Sequence, residues 1–141
     1  MKTLIIAEIG VNHNGSRNLA FKLIDAAKLA GADVVKFQTA IPEKVMLNHA
    51  KKAKYQKRNK KDKESQINMA KKIHLELKDF CVIKKYCKKK KIKFLSSPFD
   101  DESLNELIKL GLNTFKIPSG EITNLPFLKR ISSQKKKILL S

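Results

Sequence analysis

Residues 4–15, with the sequence LIIAEIGVNHNG, join a strand-like run to a polar loop. An apolar run leads directly to a carboxylate at Glu8, and a dense cluster of turn-forming residues follows it. The apolar run is typical of a buried strand, which we predict over residues 3–9. A strand that delivers a carboxylate into a loop rich in glycine and asparagine is typical of one that ends at a functional site.

Strands and helices alternate outward from this stretch. Ser16 is placed to cap a helix whose apolar residues recur at three- and four-residue spacing until Gly31. The other periodic runs predict strands over residues 33–38, 93–97, 113–117 and 137–140, and helices over 65–73, 75–90, 100–111 and from 124 onward. This alternation predicts an α/β fold with parallel strands and right-handed crossovers. A doubly wound sheet and a (β/α)₈ barrel both fit, but neither GxGxxG nor GxxxxGK[ST] supports the first.

Every predicted strand ends on polar or charged residues. These residues are Glu8, Lys36, Gln38, Ser96, Ser97, Lys116 with Ser119 and Glu121 after it, and Ser141. The carboxyl ends of barrel strands form the active-site face, so this layout predicts a convergent site. Two lysines and several hydroxyls suit a phosphate or a phosphate with a carboxylate, and two carboxylates suit the handling of protons or water.

Several of these residues also have simpler explanations, which the sequence leaves open. Glu8 is as consistent with a plain acid at a strand end as with a catalytic group. Lys36 is more informative, because a lysine within so apolar a strand needs an anionic partner. His13 stands between two asparagines, which favours a hydrogen-bonded loop residue over a metal ligand. Asn12 and the two serines before Pro98 are consistent with turn chemistry alone.

The composition narrows the classes of function. The net charge is +18, and 42% hydrophobic residues are enough for a core. Such a charge is compatible with a protein that binds nucleic acid through the basic run at residues 51–63. This function is a less favoured alternative to the binding of a small anionic ligand. Nearly all of the excess is lysine and only 6% of residues are aromatic, which disfavours base readout and stacking on single strands. Cys81 and Cys87 indicate two helix-packing thiols rather than a disulfide or zinc site.

The chain shows no signs of membrane insertion or export. No apolar run approaches the roughly 20 residues of a membrane span. The first residues lack the apolar region and cleavage site of a signal peptide. We therefore expect a cytoplasmic protein whose partners are small molecules, with no membrane among them.

Several segments together resemble the sialic acid synthase family, which includes the N-acetylneuraminate, legionaminic acid and pseudaminic acid synthases. These segments are AEIGVNHNG, DVVKFQT, KFLSSPFD, FKIPSGEITNLPFLK and the terminal ILLS. The resemblance implies a TIM (β/α)₈-type barrel, of which this chain supplies the N-terminal part with about five strands and their helices. It implies a transferase of surface-carbohydrate biosynthesis. Such enzymes condense phosphoenolpyruvate with an N-acetylated aldose, such as N-acetylmannosamine, to a nine-carbon 2-keto sugar acid and release phosphate.

The resemblance also implies roles for the residues at the strand ends. Glu8 and Glu121 would be catalytic, and Asn12 and Gln38 would face the sugar. Phosphoenolpyruvate would be bound by Lys36, Ser97, Lys116, Ser119 and Ser141. The sequence leaves open which aldose and which nonulosonic acid are involved.

The metal and the partners are likewise implied by the resemblance. The complete enzyme would use Mn²⁺ or Mg²⁺, bound by histidines that would lie beyond Ser141, so we expect this chain alone to bind no metal. The family is homodimeric and carries an antifreeze-like domain after the barrel. We therefore interpret residues 1–141 as the N-terminal part of the barrel, in a truncated, inactive or split form. The alternative is a phosphoenolpyruvate-binding or assembly fragment that needs a partner piece.

Overall fold

A computed structural model describes residues 3–46 and 65–141, and the structural statements below concern these residues. Strands and helices alternate along them, with a 3-10 turn at Ser119–Glu121. The strands are β1 (Ile6–Gly10), β2 (Val34–Thr39), β3 (Lys93–Pro98), β4 (Thr114–Ile117) and β5 (Lys137–Leu140). The helices are α1 (Arg17–Leu29), α2 (Pro42–Val45), α3 (Gln66–Ile73), α4 (Leu77–Lys89), α5 (Asp101–Lys109) and α6 (Leu125–Ser132). The basic run at 51–63 lies outside the described residues.

All the described strand pairs are parallel, which confirms the predicted α/β class with parallel strands. One ladder has the order β1-β2-β3, and a second joins β4 to β5. The two ladders lie side by side at β3 and β4. The side chain of Phe94 in β3 packs against buried apolar residues behind each of the two ladders. The five strands therefore form one continuous layer, and the helices pack against one side of it.

Local chemistry sets most element boundaries. The Ser16 hydroxyl accepts a hydrogen bond from the Leu19 N–H at 3.3 Å and caps α1, as predicted. β1 begins at Ile6 rather than residue 3, because the Ile5 N–H donates to the Asp33 carboxylate at 2.9 Å, outside the ladder. The stretch after Thr39, which we predicted to be irregular, contains the short helix α2. Its first residue is a proline, which suits a first helical turn.

The helix-packed face of the strands holds the core. Buried residues of β2, α1 and α4 form one cluster, and those of α5, β4 and α6 form another. The largest fully buried apolar side chains are Phe37, Phe80, Phe115, Ile24, Ile83, Leu104, Leu107 and Ile131. Burying such a side chain contributes about 1.5–3 kcal/mol, so most of the folding free energy comes from this face. No described helix is both long and apolar enough to cross a bilayer.

The opposite face of the same strands carries the predicted site residues. Side chains alternate between the two faces of a strand, so residues two apart share one face. Near the start of the strands, residues of this opposite face line one cavity of about 160 Å³, among them Ile6, Val34, Leu95, Thr114 and Leu139. The positions that follow on the same face are polar or charged. We call them the polar face; they are Glu8, Lys36, Gln38, Ser97, Lys116 and Ser141.

Candidate active site

An ion pair between two neighbouring strands forms the centre of the polar face. Glu8 of β1 is in register with Lys36 of β2, and Lys36 Nζ lies 2.9 Å from Glu8 Oε2. The Lys36 side chain is 8% exposed, whereas that of Glu8 is 57% exposed. A buried ammonium needs an anionic partner, which Glu8 supplies within the protein. Because Glu8 stays open to solvent, a ligand can still reach this pair.

A bulge shapes the backbone beside the pair. The register between β1 and β2 shifts between Glu8 and Gly10, and Gly10 has a φ of +54°. A Cβ at Gly10 would lie 3.0 Å from Glu8 Oε1 and 3.8 Å from Gln38 Nε2. Glycine is favoured here both by its backbone conformation and by the space left between the two side chains. The bulge therefore brings the Glu8 carboxylate and the Gln38 amide to one place.

Lys116 supplies a second cation. Its Nζ donates to the Ile117 carbonyl at 2.8 Å and to the Ser141 hydroxyl at 2.5 Å. Burial, followed by repulsion from Lys36, lowers the pKa of Lys116, and Glu8 partly opposes this shift. Among the described residues, no carboxylate lies within ion-pair distance of Lys116. Two lysines therefore share one nearby carboxylate, which leaves a positive charge that favours an anionic ligand.

Ser97 presents a buried hydroxyl that lacks a partner. It lies in register with Gln38 and is fully buried, and its Oγ has no hydrogen-bond partner among the described residues. The neighbouring hydroxyl of Ser96, by contrast, is 2.7 Å from that of Thr39, to which it is hydrogen-bonded. An unsatisfied buried hydroxyl costs about 1–3 kcal/mol, which a ligand oxygen would offset. Thr39, a polar residue that ends an apolar strand, is not among the residues that the sequence pattern singles out.

Three predicted site residues are not brought into contact with this cluster. The Glu121 carboxylate accepts a hydrogen bond from the Asn124 side chain at 2.8 Å, within its own turn. Ser119 is exposed on that turn. Asn12 is exposed on the loop after β1, where its N–H donates to the Ile9 carbonyl at 2.9 Å. The catalytic role of Glu121 and the binding roles of Ser119 and Asn12 stay predictions.

His13 is the hydrogen-bonded loop residue that the sequence favours. Its Nδ1 accepts from the Gly15 N–H at 3.2 Å, and its ring stacks on Phe37 with 5.9 Å between centroids. The ring is fully buried, and this burial, with a smaller effect of His74, lowers the pKa of His13 to about 4. His13 is therefore neutral near pH 7 and belongs to the packing of the loop on the helix side.

The described residues do not fit the divalent metal that the resemblance implies. No group of three His, Cys, Asp or Glu side chains among residues 3–46 and 65–141 is arranged to hold a metal ion. Glu8 is paired with Lys36, and Nδ1 of His13 is engaged with the backbone.

Fold and site together define an α/β domain whose parallel strands end in an anion-suited cluster. A family model described as the NeuB family matches residues 23–141, and the chain belongs to this family. The resemblance to the sialic acid synthases is thereby confirmed.

Individual relatives agree with this assignment. The chain is 54% identical over 140 residues to the N,N'-diacetyllegionaminic acid synthase of Campylobacter jejuni subsp. jejuni serotype O:2, a match covering 99% of this chain and 42% of that protein. The corresponding synthase of Legionella pneumophila subsp. pneumophila is 43% identical, with coverage of 100% and 40%. The solved structure of an N-acetylneuraminic acid (sialic acid) synthetase from Leptospira borgpetersenii serovar Hardjo-bovis, in complex with citrate, has a TM-score of 0.78. It is 32% identical, with coverage of 98% of this chain and 44% of that one. The chain therefore spans about two fifths of the length of these relatives.

Proposed function

We propose that this chain is the phosphoenolpyruvate-binding part of a sugar acid synthase. The complete reaction would condense phosphoenolpyruvate with an N-acetylated aldose to a nine-carbon 2-keto sugar acid. The observation that best supports this proposal is a cluster on one face of the strands, at their carboxyl ends. It consists of Glu8, Lys36, Lys116 and Ser141. The two relatives named N,N'-diacetyllegionaminic acid synthases support a product of the legionaminic type.

The charges of the cluster match those of the ligand. Phosphoenolpyruvate carries its phosphate and its carboxylate on the same carbon, C2, and Lys36 and Lys116 offer two ammonium groups close enough to affect each other. Charge-assisted hydrogen bonds to such groups are about twice as strong as neutral ones. The unpartnered hydroxyl of Ser97 and that of Ser141 would complete the shell around the phosphate and carboxylate oxygens.

The chemistry follows from the same groups. C3 of phosphoenolpyruvate attacks the aldehyde carbon, so a C–C bond forms and C2 becomes cationic. Water adds to C2, and one of its protons goes to the former aldehyde oxygen. The bond from C2 to the phosphate ester oxygen then breaks, the phosphate leaves with the electron pair and takes up the proton of the new C2 hydroxyl, and a ketone remains at C2. The half-exposed Glu8 carboxylate at a strand end would stabilise the cationic C2. Glu121 would orient the water only if it exchanged its hydrogen bond with Asn124 for one with the ligand.

The barrel belongs to the same proposal. We propose that residues 1–141 form the first part of a (β/α)₈ barrel whose remaining strands correspond to the part of the relatives that this chain does not span. The parallel ladders, with helices on one side and a polar face on the other, support this architecture. The homodimer and the cytoplasmic location implied by the resemblance stay predictions.

Isothermal titration of phosphoenolpyruvate into Lys36→Met and Lys116→Met tests the proposal. Hydrogen bonds to charged groups contribute about 1.5–3 kcal/mol, so we expect each variant to lose about tenfold to 100-fold in affinity. Lys137→Met is the matched control, because Lys137 lines the cavity at the opposite end of the same strands. An equal loss in all three variants would show only general attraction to a basic chain and would overturn the proposed site.

A further inference from the structure

A groove lies at the amino-terminal end of β3 and β4, away from the charged residues of the polar face. It encloses about 800 Å³ between α4 and the segment from Lys109 to Thr114. The wall on α4 runs from Cys81 to Lys88 through residues at three- and four-residue spacing. At 1.5 Å per residue this wall is about 10 Å long, which corresponds to two helical turns.

The floor of the groove is apolar and its rim is basic. Phe94 and Leu110 are partly exposed and supply the apolar surface of the floor, and Cys87, Ile92 and Leu112 lie buried beneath it. The rim carries five lysines, at positions 84, 85, 88, 93 and 109, and neither Asp nor Glu is among the lining residues. The groove therefore combines a surface that favours burial of apolar groups with one that favours anions.

The positive charge of the rim is only partly engaged. Lys84 Nζ donates to the Leu110 carbonyl across the groove, and Lys109 lies 4.0 Å from Glu106. Within residues 3–46 and 65–141, no carboxylate pairs with Lys85, Lys88 or Lys93. Exposed lysines of this kind attract an anionic partner electrostatically, and this attraction weakens as the salt concentration rises.

We propose that this groove binds an acidic amphipathic helix of a partner protein. Two turns of such a helix match the length of the α4 wall, with apolar side chains on the floor and carboxylates along the lysine rim. A second copy of this chain is disfavoured as the occupant, because the chain carries a net charge of +18. A nucleic acid or a lipid surface would use the lysines but would leave the concave apolar floor empty.

A native cysteine reports on occupancy of the groove. Cys81 is partly exposed on the groove wall, whereas Cys87 is buried, and burial raises the pKa of its thiol to about 12. The rate of alkylation by iodoacetamide at pH 8 therefore reports on the Cys81 thiol, and the rate in Cys81→Ser gives the background.

The probe is a helical 14-residue peptide with leucines on one face and glutamates on the other. The control peptide has the same composition in an order that leaves no apolar face. We expect the first peptide to slow alkylation at least about fivefold and the control to have little effect.

A pair of charge reversals then tests the lysine rim. We expect Lys85→Glu combined with Lys88→Glu to weaken protection of Cys81 about tenfold or more. Lys22→Glu combined with Lys129→Glu, on exposed positions of α1 and α6, changes the net charge equally and should leave protection unchanged. Equal losses in both pairs would overturn the proposal. Equal protection by the control peptide, by duplex DNA or by anionic vesicles would overturn it as well, because any polyanion would then suffice.

Discussion

The two faces of the parallel strands differ in chemistry from one residue to the next. On the helix-packed face, Phe37 and Phe115 are fully buried in apolar clusters. On the polar face, Lys36 precedes Phe37 and Lys116 follows Phe115. Lys36 pairs with the half-exposed carboxylate of Glu8, whose charge also acts on Lys116. One face of the strands therefore stabilises the fold, and the other is the face that we propose binds the ligand.

The magnitudes of the interactions support this division. A buried aromatic side chain contributes several kcal/mol, whereas a buried ion pair contributes close to nothing once desolvation is subtracted. Changes on the helix-packed face should therefore alter the free energy of unfolding. Changes on the polar face should alter affinity for phosphoenolpyruvate at nearly constant stability.

Phe37→Ala should have the largest effect on stability. Phe37 is fully buried and contacts the rings of His13, Phe80 and Phe94, so truncation leaves a cavity in the main cluster. We expect a loss of about 3–5 kcal/mol in urea unfolding, enough to unfold a marginal chain. Lys36→Met is the adjacent control and should change stability by less than about 1 kcal/mol, because the Glu8 it leaves behind is half exposed. Similar losses at both positions would contradict the division between the faces.

Acid should destabilise the helix-packed side through His13. The folded-state pKa is lowered to about 4 from an ordinary 6.5, so the unfolded chain takes up the proton first. Stability is fully present above about pH 6.5 and is lost as the pH falls towards 4, by roughly 3 kcal/mol at most. Urea unfolding of wild type and His13→Asn across this range measures the effect. An identical pH slope in both proteins would show that His13 is not responsible.

Gly15→Ala should separate backbone strain from close packing. Gly15 has a φ of +71°, and a Cβ there would lie 2.4 Å from the Lys72 carbonyl oxygen. Gly31 has a φ of +82°, and a Cβ there would have no atom within 4 Å. Gly31→Ala therefore introduces the backbone strain without a steric clash. We expect about 1–2 kcal/mol for Gly31→Ala and about 1–2 kcal/mol more for Gly15→Ala in thermal unfolding. Equal losses would show that the loop after β1 can move away from α3 freely.

Ser97→Ala should cause no loss of stability. The buried Ser97 hydroxyl has no partner among the described residues, so its removal breaks no hydrogen bond and relieves the cost of burying an unpaired hydroxyl. We expect a free energy of unfolding that is unchanged or higher by up to about 1–3 kcal/mol, together with weaker binding of phosphoenolpyruvate. Ser96→Ala is the matched control, since it breaks the 2.7 Å hydrogen bond to Thr39 and should cost about 1 kcal/mol. A large loss of stability in Ser97→Ala would place its hydroxyl in the structural network.

Much of the fold could be predicted because its signals are local. Ser16, Asp100 and Asn124 cap helices where the sequence indicates, since a side-chain oxygen at that position satisfies N–H groups of the first turn. The strands fall within a few residues of their predicted bounds, because their apolar runs are bounded by glycines and polar residues. The start of β1 and the short helix α2 could not be placed in this way. The first depends on Asp33, far along the chain, and the second begins with a proline, which suits either a turn or a helix.

Local patterns in the sequence predict which residues end the strands and that the strands are parallel. Which of those strand ends meet depends on the tertiary fold. The fold joins Glu8 to Lys36 and Lys116 to Ser141, leaves the Ser97 hydroxyl without a partner among the described residues, and keeps Glu121 bound to Asn124. The reason is physical: alternation and capping act over a few residues, whereas these contacts depend on the register between strands that lie far apart in the chain.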